Sequence, residues 1–330
     1  MKIGVYSPNW IGDAVMALPF ISGLKETFPQ AEIIIICKDW VADMYENHPA
    51  ASKIIPVSKD DIDGFSGTRK TGKSLQSENL DVFYTLTDSF RSAAIMWWSG
   101  AQKRIGFKSQ MRSLLLTEAI EIPKKKMHRS QKYLCLLDPE KRTSDSPGIH
   151  LTENEKLWAK EELEKMGHEN PVALFPFSVA SSRSIPNSKI KEWLSGSSHL
   201  YFIFGSGADA ERASVLINEC PFLNLINLCG QYSMRESMAL ISRCQFALAA
   251  DSGLGHIAGG LGIPTISLFG AGDSDITKPN GTQSGIIDKH VHCSPCRKNQ
   301  CFNREDPLLC FKEISQKDIN IAINFFELNP

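Results

Sequence analysis

The chain's 330 residues carry 36 Lys and Arg against 37 Asp and Glu, and a formal net charge of −1 leaves no global footprint for nucleic acid. The length suits two ordinary domains, and 42% hydrophobic with 22% charged residues is the balance of a globular chain able to bury substantial cores. No run reaches the roughly 18 apolar residues of a spanning helix, and the opening MKIGVYSPNWIGDAV, broken at Pro8 and Asn9 and carrying Asp13, is unlike a signal peptide; a cytoplasmic protein is expected, with loose association at a membrane surface left open.

In chain order, KIGVYSP predicts a short buried strand, and GDAVMALPFISGLKETF, apolar at helical spacing, a helix closing near Pro29. AEIIIICK, SKIIPV and DVFYTLT predict further strands, and the polar SKDDIDGFSGTRKTGKSLQSEN between the last two predicts mostly loop. RSAAIMWW predicts a helix with Trp97 and Trp98 in the core, and KRIGF a strand. Strands alternating with helices predict a parallel sheet. From Asp138, DPEKRTSDSPG is charged and turn-rich and suits a linker; LTENEKLWAKEELEKMG then predicts a helix capped by Thr152. The second half repeats the alternation through PVALFPF, HLYFIFGSG, ADAERASVLINEC, FLNLINL, SMRESMALISRC, QFALAADSGLGHIAGGLG and PTISLFG, and ends in the amphipathic ISQKDINIAINFFEL. The expected domains are 1–155 and 156–330, the last helix packing back on the first.

The most informative segment is QFALAADSGLGHIAGGLG. A strand ends at Ala250, Asp251, Ser252 and Gly253 form the turn, and a helix carrying His256 begins at once. Ligands of open α/β sheets bind at the carboxyl ends of strands, and a helix N-terminus there offers N–H groups to a phosphate. By itself the turn reads equally well as an Asp-capped helix with glycines easing its packing. Likewise Asp13, in GDAV, suits either a general base or a first-turn acid favoured by the helix dipole.

DSGLGH followed by PTISLFG, together with SPNWIGDAV at the opposite end, resembles the ADP-heptose:lipopolysaccharide heptosyltransferases, glycosyltransferase family nine, and is closest to their type II. The resemblance implies an α/β fold of the GT-B class, two Rossmann-like domains facing a central cleft, the first binding acceptor and the second donor. It implies that Asp251, Ser252, Gly253, Leu254 and His256 line the pocket for nucleotide diphosphate and donor sugar. Gly12 would lie at the acceptor, and Asp13 would deprotonate the acceptor hydroxyl as it attacks the anomeric carbon with inversion. In LFPFSVASSRSIPNSKIKEW, Pro176 matches the family's P-G-A proline, Phe177 replaces its glycine, and Arg183 stands where a phosphate-binding lysine is expected, with Lys189 the fallback. A guanidinium there would clamp the departing diphosphate. In FIFGSGADAERA, Ser206 and Gly207 would approach the nucleotide and Asp209, ahead of Glu211, its ribose. Asp275, in Asp273-Ser-Asp275, is a donor-site candidate; Asp61-Ile-Asp63 reads as solvated loop.

Cys293, Cys296, Cys301 and Cys310 give C-x2-C-x4-C-x8-C, a candidate structural zinc site, with His290 and His292 as alternative ligands; four reduced thiols tightening a loop is the other reading. The displacement itself requires no cofactor. Cys37, Cys135, Cys220, Cys229 and Cys244 read as ordinary buried thiols. The basic run IPKKKMHRSQKY, with Lys124, Lys125, Lys126, His128, Arg129 and Lys132, reads as solvated loop or as contact with an anionic acceptor or membrane; Lys124 and Arg129 are the acceptor-site candidates, helped by Arg69, Lys70 and Lys73. The expected partners are ADP-heptose and a lipid-linked anionic saccharide, at the cytoplasmic face of the inner membrane. The rival readings are a GT-B enzyme using another sugar nucleotide and a non-catalytic homologue. A nicotinamide oxidoreductase is disfavoured, since no G-x-G-x-x-G follows the first strand.

Overall fold

The computed structural model describes residues 1–138, 148–281 and 283–328; most of the expected linker, 139–147, lies outside them. Packing contacts divide the chain between His150 and Leu151, just ahead of the division at 155 expected from sequence. Among the described residues no helix is long and apolar enough to cross a membrane.

The first unit runs β1 (Lys2–Tyr6), α1 (Ile11–Thr27), β2 (Glu32–Lys38), β3 (Lys53–Val57), α2 (Gly64–Ser74), β4 (Val82–Thr85), α3 (Phe90–Trp98), β5 (Lys103–Phe107), β6 (Glu118–Ile120) and α4 (Arg129–Leu134). All its strands are parallel in the order β3-β2-β1-β4-β5-β6. The central strands are near-continuous apolar runs because helices cover both faces. Tyr6, Ile34, Ile36 and Phe83 meet Ala93, Ile95 and Met96 of α3 in one buried cluster.

Two local expectations are corrected. Residues 64–74, expected as loop, form α2. Its polar sequence is fixed locally as well as by packing: Thr68 and Thr71 are buried, with hydroxyls donating to Gly64 O inside the helix at 2.8 Å and to Asp61 O in the turn before it at 2.7 Å. Gly72 lets α2 lie on α3, where a Cβ would stand 2.4 Å from Trp98 Cβ. Trp97, expected in the core, is 46% exposed, its ring set edge-on to Trp98 with centroids 4.4 Å apart.

The second unit runs α5 (Glu153–Met166), β7 (Val172–Phe175), α6 (Asn187–Trp193), β8 (Leu200–Ile203), α7 (Ala210–Glu219), β9 (Asn224–Asn227), α8 (Met234–Ile241), β10 (Ala247–Ala250), α9 (Gly253–Gly260), β11 (Thr265–Phe269), α10 (Ser274–Thr277), β12 (Ser284–Asp288), α11 (Leu309–Lys312) and α12 (Gln316–Leu328). Its parallel order is β12-β11-β10-β7-β8-β9. The last helix adds one face to the core of its own unit. Ile319 and Ile323 are buried with Trp193 of α6, whose indole donates to Ile314 O at 2.9 Å.

Thr152 caps α5 as expected, in a full capping box: its Oγ accepts from Glu155 N–H while Glu155 Oε2 accepts from Thr152 N–H at 2.7 Å. Glu155 also receives Arg235 of α8 through Nε at 2.7 Å and NH2 at 2.8 Å. Burial pushes the Glu155 carboxyl up, but the donors from Arg235 and Thr152 outweigh it and hold the carboxyl at about 2. Since the folded value lies below the unfolded one, this stabilisation is present above the ordinary carboxylate range and is lost as pH falls through about 2. Glu155→Gln is expected to cost about 2 kcal/mol at neutral pH, by urea unfolding, with the gap to wild type closing in acid.

Candidate functional site

Where the winding of an open α/β sheet reverses, the strand ends leave a crevice that ligands occupy. In the first unit that point lies between β1 and β4. Leaving β1, Ser7 donates to Pro8 O at 2.9 Å and so accepts the Tyr45 hydroxyl at 2.5 Å, fixing the turn into α1. Gly12 and Asp13 then fall in the first turn of α1, where the helix dipole favours an anion. Arg129, opening α4, brings its guanidinium to 3.5 Å from the Asp13 carboxylate. One turn on, Lys132 pairs at 2.9 Å with Asp88 in the loop after β4, and Arg112 lies 3.6 Å from the same carboxylate. Tyr133 is buried behind Arg129; burial first, then the charge of Asp13, pushes its hydroxyl far above the usual range. Although burial works against the Arg129 charge, Asp13 and Tyr133 hold it above its ordinary value. The basic run divides: α4 lays Arg129 and Lys132 on two carboxylates, while Lys124, Lys125 and Lys126 are exposed on the loop before it. Asp88, Arg112 and Tyr133 were not singled out from sequence. Asp88 had a usable signal, since it follows a strand destined to lie beside β1.

In the second unit the reversal lies between β7 and β10, so the loop holding Arg183 and the turn holding Asp251 meet there. Asp251 is 6% exposed, and Arg183 NH1 stands 3.4 Å from its Oδ2. Ser178 Oγ donates to Asp251 O at 3.3 Å, joining the two segments. Gly272 is what lets the carboxylate in: a Cβ there would stand 1.9 Å from Asp251 Oδ2. Arg183 Nε, Asp251 Oδ2 and Ser252 Oγ are all buried without a hydrogen bond inside the protein. They converge on the start of α9, whose first turn carries Gly253, Leu254 and Gly255 and whose next residue is the buried His256. Burial pushes the Asp251 carboxyl up to about 6 against the opposing charge of Arg183. Lys189, the fallback cation, is elsewhere, paired with Glu192 at 2.9 Å and lying 5.6 Å over the Trp193 ring.

Phe177, in place of the resembling family's glycine, is buried in the second core with the Arg212 guanidinium 4.3 Å over its ring. Arg212 in turn reaches Ser184 Oγ at 3.1 Å and Asp209 Oδ1 at 3.0 Å. Asp209 Oδ2 accepts the Ser206 hydroxyl at 2.7 Å, so this carboxylate is engaged in capping its own turn, beside the open approach at Gly207. Of the Asp273-Ser-Asp275 pair, Asp275 is exposed on α10 and Asp273 is buried and paired with Arg297. Asp61 lies in solvent and accepts from Ser58, as expected.

Cys293, Cys296, Cys301 and Cys310 line one cavity of about 20 Å³ together with Ser182 and Gly270. Among the described residues no three His, Cys, Asp or Glu side chains are gathered to hold a metal ion. The loop braces its neighbours. Ser181 Oγ donates to Asn299 O at 3.2 Å, Ser182 Oγ to Lys298 O, and Arg297 N–H to Ala271 O at 2.7 Å. The other five cysteines are buried thiols, as expected.

The raised Asp251 carboxyl has a consequence for stability. A folded value above the unfolded one favours the folded state fully below the unfolded range, and that advantage is lost as pH rises through about 6. Asp251→Asn is therefore expected to raise the melting temperature at pH 8 but not at pH 4, a gain of at most on the order of 3 kcal/mol. A variant no more stable than wild type at pH 8 would refute the cost assigned to this buried charge.

Residues 68–305 match glycosyltransferase family 9 (heptosyltransferase). Lipopolysaccharide heptosyltransferase 2 of Escherichia coli K12 is 25% identical over 305 residues, covering 87% of this chain and 88% of the relative. Among solved structures, the E. coli ADP-heptose LPS heptosyltransferase II superposes with a TM-score of 0.83 at 23% identity, covering 100% of this chain and 99% of that one. A family 9 glycosyltransferase from Veillonella parvula superposes with a TM-score of 0.84 at 18% identity, covering 100% and 97%. Both support the GT-B class for the two doubly wound units described above. With the match spanning most of the chain, and with Arg183, Asp251 and α9 meeting at one strand reversal, the protein belongs to glycosyltransferase family 9.

Proposed function

We propose that this glycosyltransferase moves a heptose from ADP-heptose to the inner core of a lipid-linked, anionic lipopolysaccharide precursor, with inversion, at the cytoplasmic face of the inner membrane. The observation that carries the reading is the convergence of Arg183 Nε, Asp251 Oδ2 and Ser252 Oγ at the start of α9. Buried polar atoms without partners are rare in a folded protein unless a ligand completes them. A diphosphate suits the set: Arg183 supplies a fork of donors, the first turn of α9 supplies N–H groups, and Ser252 adds a hydroxyl. Asp251 then accepts from hydroxyls of the donor sugar.

The acceptor hydroxyl attacks the anomeric carbon as the bond to the diphosphate breaks. Its proton passes to the Asp13 carboxylate, and the charge arriving on the departing ADP is met by Arg183 and α9. In the structure each of these charges is already held by an opposite one, Asp13 by Arg129 and Arg183 by Asp251. An anionic acceptor that draws Arg129 to itself releases Asp13 as base, and the donor diphosphate does the same for Arg183. Lys124 adds to the attraction of the acceptor. No residue role here calls for a metal.

ADP is expected to raise the melting temperature in differential scanning fluorimetry, and UDP and GDP are not; equal stabilisation by all three would overturn the choice of donor. Asp13→Asn is expected to reduce transfer from ADP-heptose to a Kdo–lipid A acceptor by about 10²–10⁴-fold while ADP still stabilises the variant. Gly272→Ala should weaken ADP binding at least about tenfold, since the added methyl displaces Asp251 and with it Arg183.

A further inference from the structure

A donor diphosphate held by Arg183 takes that guanidinium away from Asp251, and the consequence falls on a carboxylate that water barely reaches. Asp251 is 6% exposed, and its Oδ2 accepts no hydrogen bond within the protein. The Arg183 guanidinium, 3.4 Å away, is the charge that offsets it. Gly272 closes another side so tightly that a Cβ there would stand 1.9 Å from Oδ2, so no further donor fits in that direction.

The charged and titratable groups around Asp251 belong to three elements. The loop after β7 brings Arg183, and α9 brings the buried His256. The segment after β11 brings Asp273, buried and paired with Arg297, and the exposed Asp275. Of the cations next along the chain, Lys189 holds Glu192 at 2.9 Å. Arg212, which reaches the Arg183 loop at Ser184, holds Asp209 at 3.0 Å. Burial and Arg183 are the two influences that set the Asp251 carboxyl, at about 6, so it is ionised at neutral pH only with that guanidinium beside it.

A diphosphate at the start of α9 reverses this balance. Its oxygens engage Arg183, and its two negative charges come to lie beside the carboxylate. Like charges in a poorly solvated site do not all persist, and the group that can take a proton does so. A diphosphate diester loses its last proton far below neutral pH, so the group that takes one is Asp251. The O–H bond forms on Oδ2; the proton comes from solvent when the donor binds and returns to solvent when ADP leaves.

We propose that Asp251 takes up one proton as the donor binds, and that the neutral acid then donates a hydrogen bond to the diphosphate beside Arg183. Its Oδ1 remains an acceptor for hydroxyls of the donor sugar. A buried carboxylic acid held neutral is an effective donor toward charge that grows on a leaving group. The proposal rests on the reading that ADP-heptose is the donor.

The test is isothermal titration of the full chain with ADP-heptose at pH 7, repeated in buffers of different ionisation enthalpy to count protons. Uptake is expected to be close to one proton per donor bound, and affinity should fall about fivefold or more between pH 7 and pH 8. Asp251→Asn should abolish both the uptake and the pH dependence, and should bind ADP-heptose at pH 8 at least as tightly as the wild type. His256→Asn should leave the uptake per bound donor unchanged. Absence of uptake by the wild type, uptake that persists in Asp251→Asn, uptake lost in His256→Asn, or failure of Asp251→Asn to bind at pH 8 would each overturn the proposal. If ADP-heptose does not bind at all, the donor reading fails and the proposal with it; binding without uptake defeats the proposal alone.

Discussion

A carboxylate buried in a protein has to be compensated, and here Asp251 has one guanidinium, Arg183, for the task. Much of the second unit is arranged around that pair. Gly272 leaves room for the carboxylate, Ser178 ties the Asp251 backbone to the loop that carries Arg183, and Ser184 holds that loop to Arg212. The cysteine loop grips the loop from the far side through Ser181 and Ser182. Such support is what a partly unsatisfied site requires, because an apolar replacement would fold more readily. Stability is given up at Asp251 for the sake of a charge kept ready, a common trade at functional sites.

The first unit meets the same constraint with a different partner. Asp13 and Arg129 are less deeply buried, and the pair is backed by Tyr133 and by the neighbouring pair of Asp88 and Lys132. Two carboxylates and three cations at one strand reversal leave a local excess of positive charge, which attracts an anionic ligand.

The alternation of strand and helix was plain in the sequence because central parallel strands such as AEIIIICK and QFALAA are apolar on both faces. The turns at Gly12–Asp13 and Asp251–His256 were legible because glycines and an acid stand directly after a strand. What escaped was set by distant contact. α2 looks like loop, and only its docking on α3 through Gly72 makes it a helix. The edge strands β6 and β12 are only partly buried, so they lack an apolar run. Phe177 read as a break in a motif until Arg212 was found over its ring. The preference for Asp273 over Asp275 as the buried acid depends on Arg297, many residues downstream, and no local pattern announces it.

Both sheets are wound alike, each with its first strand next to the reversal. A site of this kind needs only the loops at its own strand ends, so each unit can change what it recognises without rebuilding the other. Diversification within such a scaffold is then modular. Changes in the loops after β1, β4 and β5 alter the first crevice, and changes in the loops after β7 and β10 alter the second. The His150–Leu151 division is the natural place at which the halves of two such chains would be exchanged.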